Sequence, residues 1–515
     1  MKRLIAAILV VVMMLPLVAC GGGGTTGGGG GDGDGDLTYT FIDTLPEELN
    51  GKYAGEELIV AVDSNYEYEL YGKEDSQETV DQLVYKRNQL LQQRFGCEIV
   101  SDVTPALNAE DLNSHYNYVR ESFERGSLGF DLVMLMAYQT GKLITSGYYL
   151  DWRADTRYCK ASIEGGAEWW PKEINDGTTI LGHQYLAVSD MCLTTMEMCY
   201  AVLFNKDMES GENVAKKQFG KETLYQAVDA GEWTLDAFYN IVKNFYKDNA
   251  EAGEIGVVDK LDRFGLAAGG GTDSDAWAFA LGFQYIVNDG VNYPELWTVT
   301  TKTSTAVETL RDLLHGDYTY GLDWGDQYSE RTKFFVDGRA LFNLSTLEQL
   351  KSETFHEMDS DYGVLPYPKY DKNQKDYYTG TMDHYTMLSI PLYISDYKLE
   401  MVDVLVEALS AESTNSVRDA YFESILKYNS TRDKDSVRMI QKVMDGRRYD
   451  ITTYHYAEIT NSGGTDNGSL GLFFRYLLKV DTNIDAGTYY STNFPSYDTG
   501  FQDLIESYVD MFGGY

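Results

Sequence analysis

The chain has 515 residues, and its 80 acidic and 42 basic side chains give a formal net charge of −38 at pH 7. A surface this acidic repels nucleic acid and anionic lipid, so neither is expected as a binding partner. An apolar fraction of 43% excludes a disordered chain, and the length exceeds one ordinary hydrophobic core, so we expect two lobes or domains.

The first 19 residues have the pattern of a secretory signal. Lys2 and Arg3 precede an apolar run from Leu4 to Val12, which is too short for a permanent membrane span. The segment ends in Leu-Val-Ala-Cys at residues 17–20, and Cys20 resembles the bacterial lipobox cysteine, whose thiol receives a diacylglyceryl group. We therefore predict a signal peptide at residues 1–19 and a mature protein outside the cytoplasm, anchored to the cell membrane by lipid on Cys20.

A glycine-rich linker follows at residues 20–44. Eleven of the fifteen residues from Gly21 to Gly35 are glycine, which predicts a flexible tether between the lipid and the folded part. Alternating acids at Asp32, Asp34 and Asp36 resemble the start of a calcium loop. The sixth position is Leu37 instead of glycine and the twelfth is an aspartate, so no metal site is predicted there.

The next part of the chain alternates strand and helix patterns. In chain order these are a strand at Leu58–Val62, a helix at Val80–Phe95 ended by Gly96, a strand at Cys97–Val100, a helix within Asp111–Arg125 and a strand at Phe130–Leu135. This order predicts an α/β fold in which a mostly parallel sheet is flanked by helices. Ligands bind beyond the carboxyl ends of such strands, which places Asn65, Tyr66 and Tyr138 at a candidate site.

Further strand and helix patterns follow in the second half of the chain. Thr234 is predicted to cap a helix, with Trp233 packing on Phe238 as a hydrophobic staple, so we interpret Trp233 as structural. Further strands are predicted at Ala340–Leu344, Tyr362–Leu365 and Met387–Pro391. A buried helix face is predicted at Val402, Leu405, Val406 and Leu409.

Four cysteines remain after Cys20. They are Cys97, Cys159, Cys192 and Cys199, and their spacing fits neither a CxxC motif nor a zinc site. We expect buried free thiols, with a single disulfide as the alternative in an oxidising compartment.

The sequence has no signature of a common catalytic or phosphate-binding site. There is no G-x-S-x-G elbow, no G-x-x-x-x-G-K-[ST] loop and no H-E-x-x-H motif, and no cofactor or metal is predicted. A glycoside hydrolase remains an alternative, because it needs only two suitably separated carboxylates and the chain has 80 acids.

Several loops place an aromatic ring beside a carboxylate or an amide, as a sugar site requires. The strongest is Asp275 with Trp277, after the glycines at 269–271, and others are Asp323–Trp324, Asn65–Tyr66 and Asp383–His384. For each of them the alternative is an aromatic side chain half buried at the edge of a loop.

Five segments in a fixed order resemble the extracellular solute-binding proteins of ABC importers, in the branch that includes maltose-binding protein. These segments are Phe130–Met134, Tyr200–Asp207, Gly231–Asp236, Phe335–Phe342 and Asp361–Pro366, within a similarity that covers most of residues 58–450.

This resemblance implies a two-lobed periplasmic-binding-protein-like fold, with crossover strands near residues 194–200, near Pro366 and near residue 430. Lobe 1 would comprise residues 56–198 and 366–430, and lobe 2 residues 199–365 and 431–515. The ligand would lie in the cleft between the lobes, with Asp275–Trp277 and the turn after Ala340–Leu344 facing it. That turn has no aromatic residue, unlike some relatives, although Thr346 can donate a hydrogen bond.

The sequence thus predicts a lipid-anchored, monomeric subunit of an ABC importer, which captures a carbohydrate, most simply an oligosaccharide, without catalysis. Hinge closure would then deliver the ligand to the permease in the membrane. The predicted ligand-binding residues are Asn65, Tyr66, Tyr138, Asp275, Trp277, Trp324, Thr346, Asp383 and His384. The alternatives are a surface-anchored glycoside hydrolase and a binding protein for a peptide or another non-sugar solute.

Overall fold

Two β-sheets organise the folded part of the chain. The computed structural model describes residues 42, 44–104, 113–248, 262–269, 271–322, 328–427, 434–460, 468–479 and 482–513. The predicted signal peptide, Cys20, the linker up to residue 41 and Trp324 lie outside the described residues.

The thirteen strands of the described residues are numbered in chain order. They are β1 (Glu57–Asp63), β2 (Glu98–Thr104), β3 (Leu132–Met136), β4 (Thr179–Ile180), β5 (His183–Gln184), β6 (Tyr200–Asn205), β7 (Phe264–Gly269), β8 (Ile286–Val287), β9 (Glu295–Leu296), β10 (Thr319–Leu322), β11 (Ala340–Thr346), β12 (Tyr362–Leu365) and β13 (Thr386–Ser389). The pairs β4–β5 and β8–β9 form two small antiparallel hairpins.

The first large sheet has the strand order β13-β3-β1-β2. The central strand β1 pairs in parallel with β2 and with β3, as the alternation of strands and helices predicted. The fourth strand, β13, pairs antiparallel with β3, so that Leu388 lies opposite Met134. We use the name lobe 1 for this sheet and the helices that cover it.

The second large sheet, which defines lobe 2, has the order β10-β7-β11-β6-β12. Strand β7 pairs in parallel with β10 and β11, whereas β6 pairs antiparallel with β11 and β12. All residues of β6 and β11 are buried, because helices cover both faces of the sheet. The two sheets are thus mostly parallel and belong to one α/β fold, as the sequence predicted.

Twenty-one α-helices surround the sheets within the described residues. They are α1 (Thr79–Phe95), α2 (Ser114–Arg125), α3 (Ala137–Thr145), α4 (Trp152–Asp155), α5 (Tyr158–Gly165), α6 (Lys172–Gly177), α7 (Thr194–Glu197), α8 (Lys206–Glu212), α9 (Val214–Phe219), α10 (Leu224–Asp229), α11 (Leu235–Phe245), α12 (Asp273–Ala280), α13 (Thr301–His315), α14 (Tyr328–Val336), α15 (Glu353–His356), α16 (Asp396–Glu412), α17 (Asp419–Lys427), α18 (Lys434–Asp445), α19 (Ile451–Tyr454), α20 (Phe473–Leu477) and α21 (Ala486–Gly513). None of the described helices has both the length and the apolar character needed to cross a membrane.

Local sequence signals account for several helix ends. Helix α1 ends at Gly96, which has the left-handed φ of 78° that favours glycine. Helix α11 begins where the hydroxyl of Thr234 accepts a hydrogen bond from the backbone N–H of Ala237. The Trp233 and Phe238 rings lie 5.4 Å apart across this cap, which confirms the predicted staple.

Three segments that connect the lobes run side by side. The Tyr200 N–H donates to Gly380 O at 3.1 Å, and the Met382 N–H donates to Met198 O at 2.9 Å. On the other side of this segment, the Thr379 N–H donates to Gly446 O at 2.8 Å. These bonds form a small three-stranded hinge from residues 198–200, 379–382 and 446–448.

The first hinge segment, 198–200, overlaps the range 194–200 predicted for a crossing, whereas the second, 379–382, follows the predicted Pro366. The reason is that the chain stays beside lobe 2 after β12. There the Trp233 indole donates to Pro366 O at 2.9 Å, and the Lys369 N–H donates to Trp233 O at 3.3 Å. The third hinge segment, 446–448, follows the crossing predicted near residue 430, and residues 428–433 lie outside the described residues. The lobe boundaries remain a prediction.

A continuous apolar core extends from lobe 1 into lobe 2, and Phe41–Tyr515 form one compact unit. The core contains β1 and β3 of lobe 1 together with side chains of β6 and β11. Cys97, Cys159, Cys192 and Cys199 are buried free thiols, as predicted, and burial raises the pKa of Cys97 to about 11.

Candidate functional site

Two of the predicted site residues, Asp275 and Asp383, line a cavity beside the hinge. It has a volume of about 40 Å³ and is bordered by Tyr200 of β6, by α12, by the hinge segment that ends at Asp383, by the residues around α19 and by α20. The lining side chains are Tyr200, Thr272, Asp275, Phe279, Thr381, Met382, Asp383, Thr452, Thr453, Tyr456, Leu472 and Arg475. Five different parts of the chain therefore supply one site.

A charged pair lies in the wall of this cavity. The Arg475 Nε donates to Asp275 Oδ1 at 3.1 Å, and a second guanidinium nitrogen binds Oδ2 of the same carboxylate. The two side chains are only 18% and 17% exposed. Burial raises the pKa of Asp275 to about 6, although the charge of Arg475 opposes that rise. A forked pair of this kind holds both side chains in fixed positions.

Asp383 adds a second carboxylate to the same cavity. Its charge contributes to raising the pKa of Asp275, which places the two acids within electrostatic reach of each other. The Asp383 carboxylate also lies 3.8 Å from Nε2 of His384. Two carboxylates and one guanidinium thus give this site polar groups that both donate and accept hydrogen bonds.

Aromatic rings stand next to these charges. The Tyr138 ring lies 5.2 Å from the His384 ring and 6.5 Å from the Tyr456 ring, measured between centroids. The backbone N–H of Tyr138 donates to Asp383 O at 3.4 Å. We call Tyr138, His384 and Tyr456 the aromatic wall. Burial, followed by the charge of Asp383, raises the pKa of the Tyr138 phenol.

Asn65 and Tyr66 follow β1, as predicted, on the lobe 1 side of the site. Asn65 is exposed, and its N–H donates to Asp63 Oδ1 at 2.8 Å. Tyr66 is half-buried, and burial together with the charges of Glu69 and Glu348 raises its pKa. Tyr66 therefore lies within electrostatic reach of Glu348, which belongs to the turn that follows β11.

Two predicted ligand contacts are buried in this conformation. Trp277 has no exposed surface, and its ring packs 4.8 Å from Tyr367 and 6.0 Å from Phe238, so it is a core side chain. Thr346 is 5% exposed and lies opposite Tyr200 in the second sheet. Local sequence does not separate the two cases for Trp277, because a ring that packs inward has the same pattern as a ring that faces a cleft. Ligand contact of Thr346 was implied by the family resemblance alone.

A buried carboxylate connects the lobes on the other side of the hinge. Glu197 is 2% exposed and accepts hydrogen bonds from the Tyr68 hydroxyl at 2.5 Å and from Lys351 Nζ at 2.7 Å. Tyr68 follows β1 of lobe 1, and Lys351 follows β11 of lobe 2. In this conformation Glu197 thus contacts side chains of both lobes.

The sequence reasoning missed Arg475 and Tyr456, although one signal was present. Arg475 is the single charged residue in Phe-Phe-Arg-Tyr-Leu-Leu at 473–478, and a lone charge in an apolar run indicates a buried, paired group. Tyr456 had no comparable signal. In the described residues, no group of three or more His, Cys, Asp and Glu side chains could hold a metal ion.

Comparison with known proteins defines the class of fold. No protein-family model matches the chain, and no curated protein matches it. The fold is that of the two-lobed substrate-binding proteins of ABC transporters, as solved structures show.

An ABC substrate-binding protein from Listeria monocytogenes, in complex with cycloalternan, matches 87% of this chain and 99% of its own, with 12% identity and a TM-score of 0.51. The maltose/maltodextrin-binding domain from Bdellovibrio bacteriovorus, bound to maltotriose, matches 87% and 100%, with 13% identity and a TM-score of 0.50. The GacH receptor of Streptomyces glaucescens, solved without ligand and with acarbose, matches 87% and 99%, with 12% identity and a TM-score of 0.50.

Proposed function

We propose that this protein is the substrate-binding subunit of an ABC importer and that it captures a carbohydrate, most simply an oligosaccharide, in the cleft beside the hinge. The observation that carries the proposal is the aromatic wall of Tyr138, His384 and Tyr456 next to Asp275, Asp383 and Arg475. The structural relatives support it, since three of them have been solved with oligosaccharides or acarbose.

The chemistry of the site fits a sugar. The C–H groups of a pyranose ring pack on an aromatic face, while its hydroxyls need both donors and acceptors. The carboxylates of Asp275 and Asp383 accept hydrogen bonds from hydroxyls, and the remaining guanidinium N–H groups of Arg475 donate. Threonine hydroxyls at 272, 381 and 453 add partners of either kind.

Ligand entry requires the lobes to separate. A cavity of about 40 Å³ is far below the roughly 300–1,000 Å³ of typical ligand sites. The proposal therefore requires a wider form of the cleft, and the Tyr68–Glu197–Lys351 contacts are candidates for the bonds that change on opening. A ligand that touches both lobes would favour the closed form, because the open form cannot complete its contacts.

The anchor and the compartment are part of the proposal. The lipobox-like Cys20 and the glycine-rich linker support a lipid-anchored protein that works outside the cytoplasm and delivers its ligand to a membrane permease. Growth of the producing cells with labelled palmitate should label the protein and keep it in the membrane fraction. A Cys20→Ala variant should lose both the label and the membrane association, and retention of either would contradict the anchor.

Sugar binding is tested with the purified protein and a panel of cycloalternan, maltotriose, acarbose and a tripeptide. Thermal unfolding and product analysis are followed together, since a ligand that binds the native state raises its stability. A higher melting temperature without new products supports a carbohydrate-binding protein. Cleavage of a glycan would instead support a glycoside hydrolase, for which Asp275 and Asp383 at one cavity are candidate carboxylates. Stabilisation by the tripeptide alone would contradict the sugar assignment.

A further inference from the structure

A cluster of basic side chains lines a cavity that shares no lining residue with the candidate sugar site. The cavity has a volume of about 860 Å³ and lies between α10, α18 and the segment 369–377 that leads to the hinge. Its charged lining residues are Lys369, Lys375, Lys434, Arg438, Lys442, Arg448, Glu173, Asp229, Asp376 and Asp445. Basic side chains outnumber acids six to four here, whereas the whole chain has 42 basic and 80 acidic residues.

Of these six basic side chains, Arg438 is the one with an ion pair among the described residues. Arg438 forms ion pairs with Asp229 and, at 2.6 Å, with Asp435. Asp445 accepts a hydrogen bond from Gln441 at 2.7 Å. Among the described residues, the lysines at 369, 375, 434 and 442 and Arg448 form no ion pair with a carboxylate.

Lys369 is the lysine of this cavity whose surroundings most favour a bound anion, because its side chain is buried. Its side chain is 4% exposed, and the one described acceptor for its ammonium is Gln374 O at 2.9 Å. Burial lowers its pKa, although Asp371 and Asp376 oppose this, so the protein holds a poorly solvated cation at the cavity wall. The rigid backbone supports this position, since Lys369 O accepts the N–H of Leu235 at 2.8 Å.

Two tyrosine rings of this region make cation–π contacts with basic side chains of the cavity. The Tyr377 ring has Lys369 Nζ at 5.3 Å and Lys442 Nζ at 6.0 Å from its centroid. The Arg448 guanidinium lies 4.3 Å from the centroid of Tyr378. Each contact is a favourable cation–π interaction, but together they hold like charges close, which raises the local positive potential.

We propose that this cavity binds a small multivalent oxyanion, a molecule with phosphate or several carboxylate groups. Lysine ammoniums and a guanidinium are the usual partners of such groups, and an anion would replace the solvation that Lys369 has lost. The concave shape fits a small soluble molecule better than a flat membrane surface. The proposal does not depend on the identity of the ligand in the cleft.

The test uses the purified full chain and two probes, inorganic pyrophosphate and citrate, in isothermal titration calorimetry. The variant is Lys375→Gln with Lys442→Gln, because both lysines line the cavity and neither is buried. The matched control is Lys216→Gln with Lys333→Gln, two exposed lysines that do not line it. We expect binding of at least one probe, weakened roughly tenfold in the variant and unchanged in the control.

Absence of binding of both probes up to about 10 mM, or equal affinity of the variant and the wild type, would overturn the proposal. Competition by phosphatidylglycerol vesicles, compared with phosphatidylcholine vesicles, identifies the source of the anion. Displacement of the bound probe assigns the cavity to a lipid headgroup carrying the same phosphate chemistry. Lack of displacement assigns it to a soluble anion, and both results keep the anion site.

Discussion

Glu197 and Lys351 form an ion pair of 2.7 Å between the first hinge crossing and the turn that follows β11 of lobe 2. The Glu197 side chain is 3% exposed and that of Lys351 is 32% exposed, so the carboxylate depends on its partners for solvation. The Tyr68 hydroxyl from lobe 1 supplies the other hydrogen bond. Glu197 therefore has a hydrogen-bond partner in each lobe.

Replacement of Lys351 by methionine should destabilise the protein, because it leaves the buried Glu197 charge with one partner fewer. We expect a loss of about 2–3 kcal/mol in the free energy of unfolding, at the low end for a buried pair because Lys351 is partly exposed. Urea denaturation measures it. In the control Lys333→Met, which removes an exposed pair with Asp337, the change should stay below about 0.5 kcal/mol. Equal effects of the two substitutions would contradict the role of Glu197.

If the aromatic wall stacks on the sugar, removal of the Tyr456 ring should weaken sugar binding more than removal of its hydroxyl alone. Tyr456→Ala should weaken sugar binding roughly tenfold, because a stacking face is lost, whereas Tyr456→Phe keeps that face and should change the affinity less. Titration calorimetry with the sugar identified in the panel measures both. If the phenylalanine variant loses as much affinity as the alanine variant, the ring is not a stacking surface.

Because Glu69 is buried, we expect the free energy of unfolding to depend on pH. Its carboxylate has no exposed surface and accepts hydrogen bonds from the Thr194 N–H at 2.7 Å and the Thr386 hydroxyl at 2.7 Å. Burial raises the pKa of Glu69 to about 8, although those hydrogen bonds oppose the rise. The folded state thus holds the proton more tightly than the unfolded state, in which the pKa is near 4.5.

The stabilising contribution of this proton is complete below pH 4.5 and is lost as the pH rises towards 8. The loss is a few kcal/mol, at about 1.4 kcal/mol for each pH unit of the window. Glu69→Gln keeps the shape and an acceptor but cannot titrate, so its free energy of unfolding should fall less than that of the wild type over this range. Parallel pH profiles of the two proteins would contradict the assignment.

Variants of Trp277 test whether this side chain belongs to the hydrophobic core or contacts the ligand in the cleft. Because the indole is fully buried, Trp277→Ala should destabilise the protein by about 3–5 kcal/mol. Trp277→Phe should lower the melting temperature by a smaller amount and leave the sugar affinity within roughly threefold of the wild type. A loss of affinity without a loss of stability would instead restore Trp277 to the ligand site.

Local sequence patterns determined the elements of this fold. Short apolar runs predicted β1, β3 and β12, and Gly96 predicted the end of α1, because these features depend on residues that are neighbours in the chain. The staple between Trp233 and Phe238 is local in the same sense. The same local patterns therefore predict a candidate site at the carboxyl ends of β1 and β3.

Only the tertiary structure decided which of the named residues share a cavity. Arg475 reaches Asp275 across 200 residues of chain, and β13 pairs antiparallel with β3 across 250 residues or more, contacts that no local period encodes. The inward orientation of Trp277 was decided in the same way, by its packing against Tyr367. Sequence by itself thus determined the strands, the helices and their order, because propensity and periodicity act between near neighbours. The site and its charges were decided by long-range packing, because a side chain's exposure depends on what the rest of the chain brings against it.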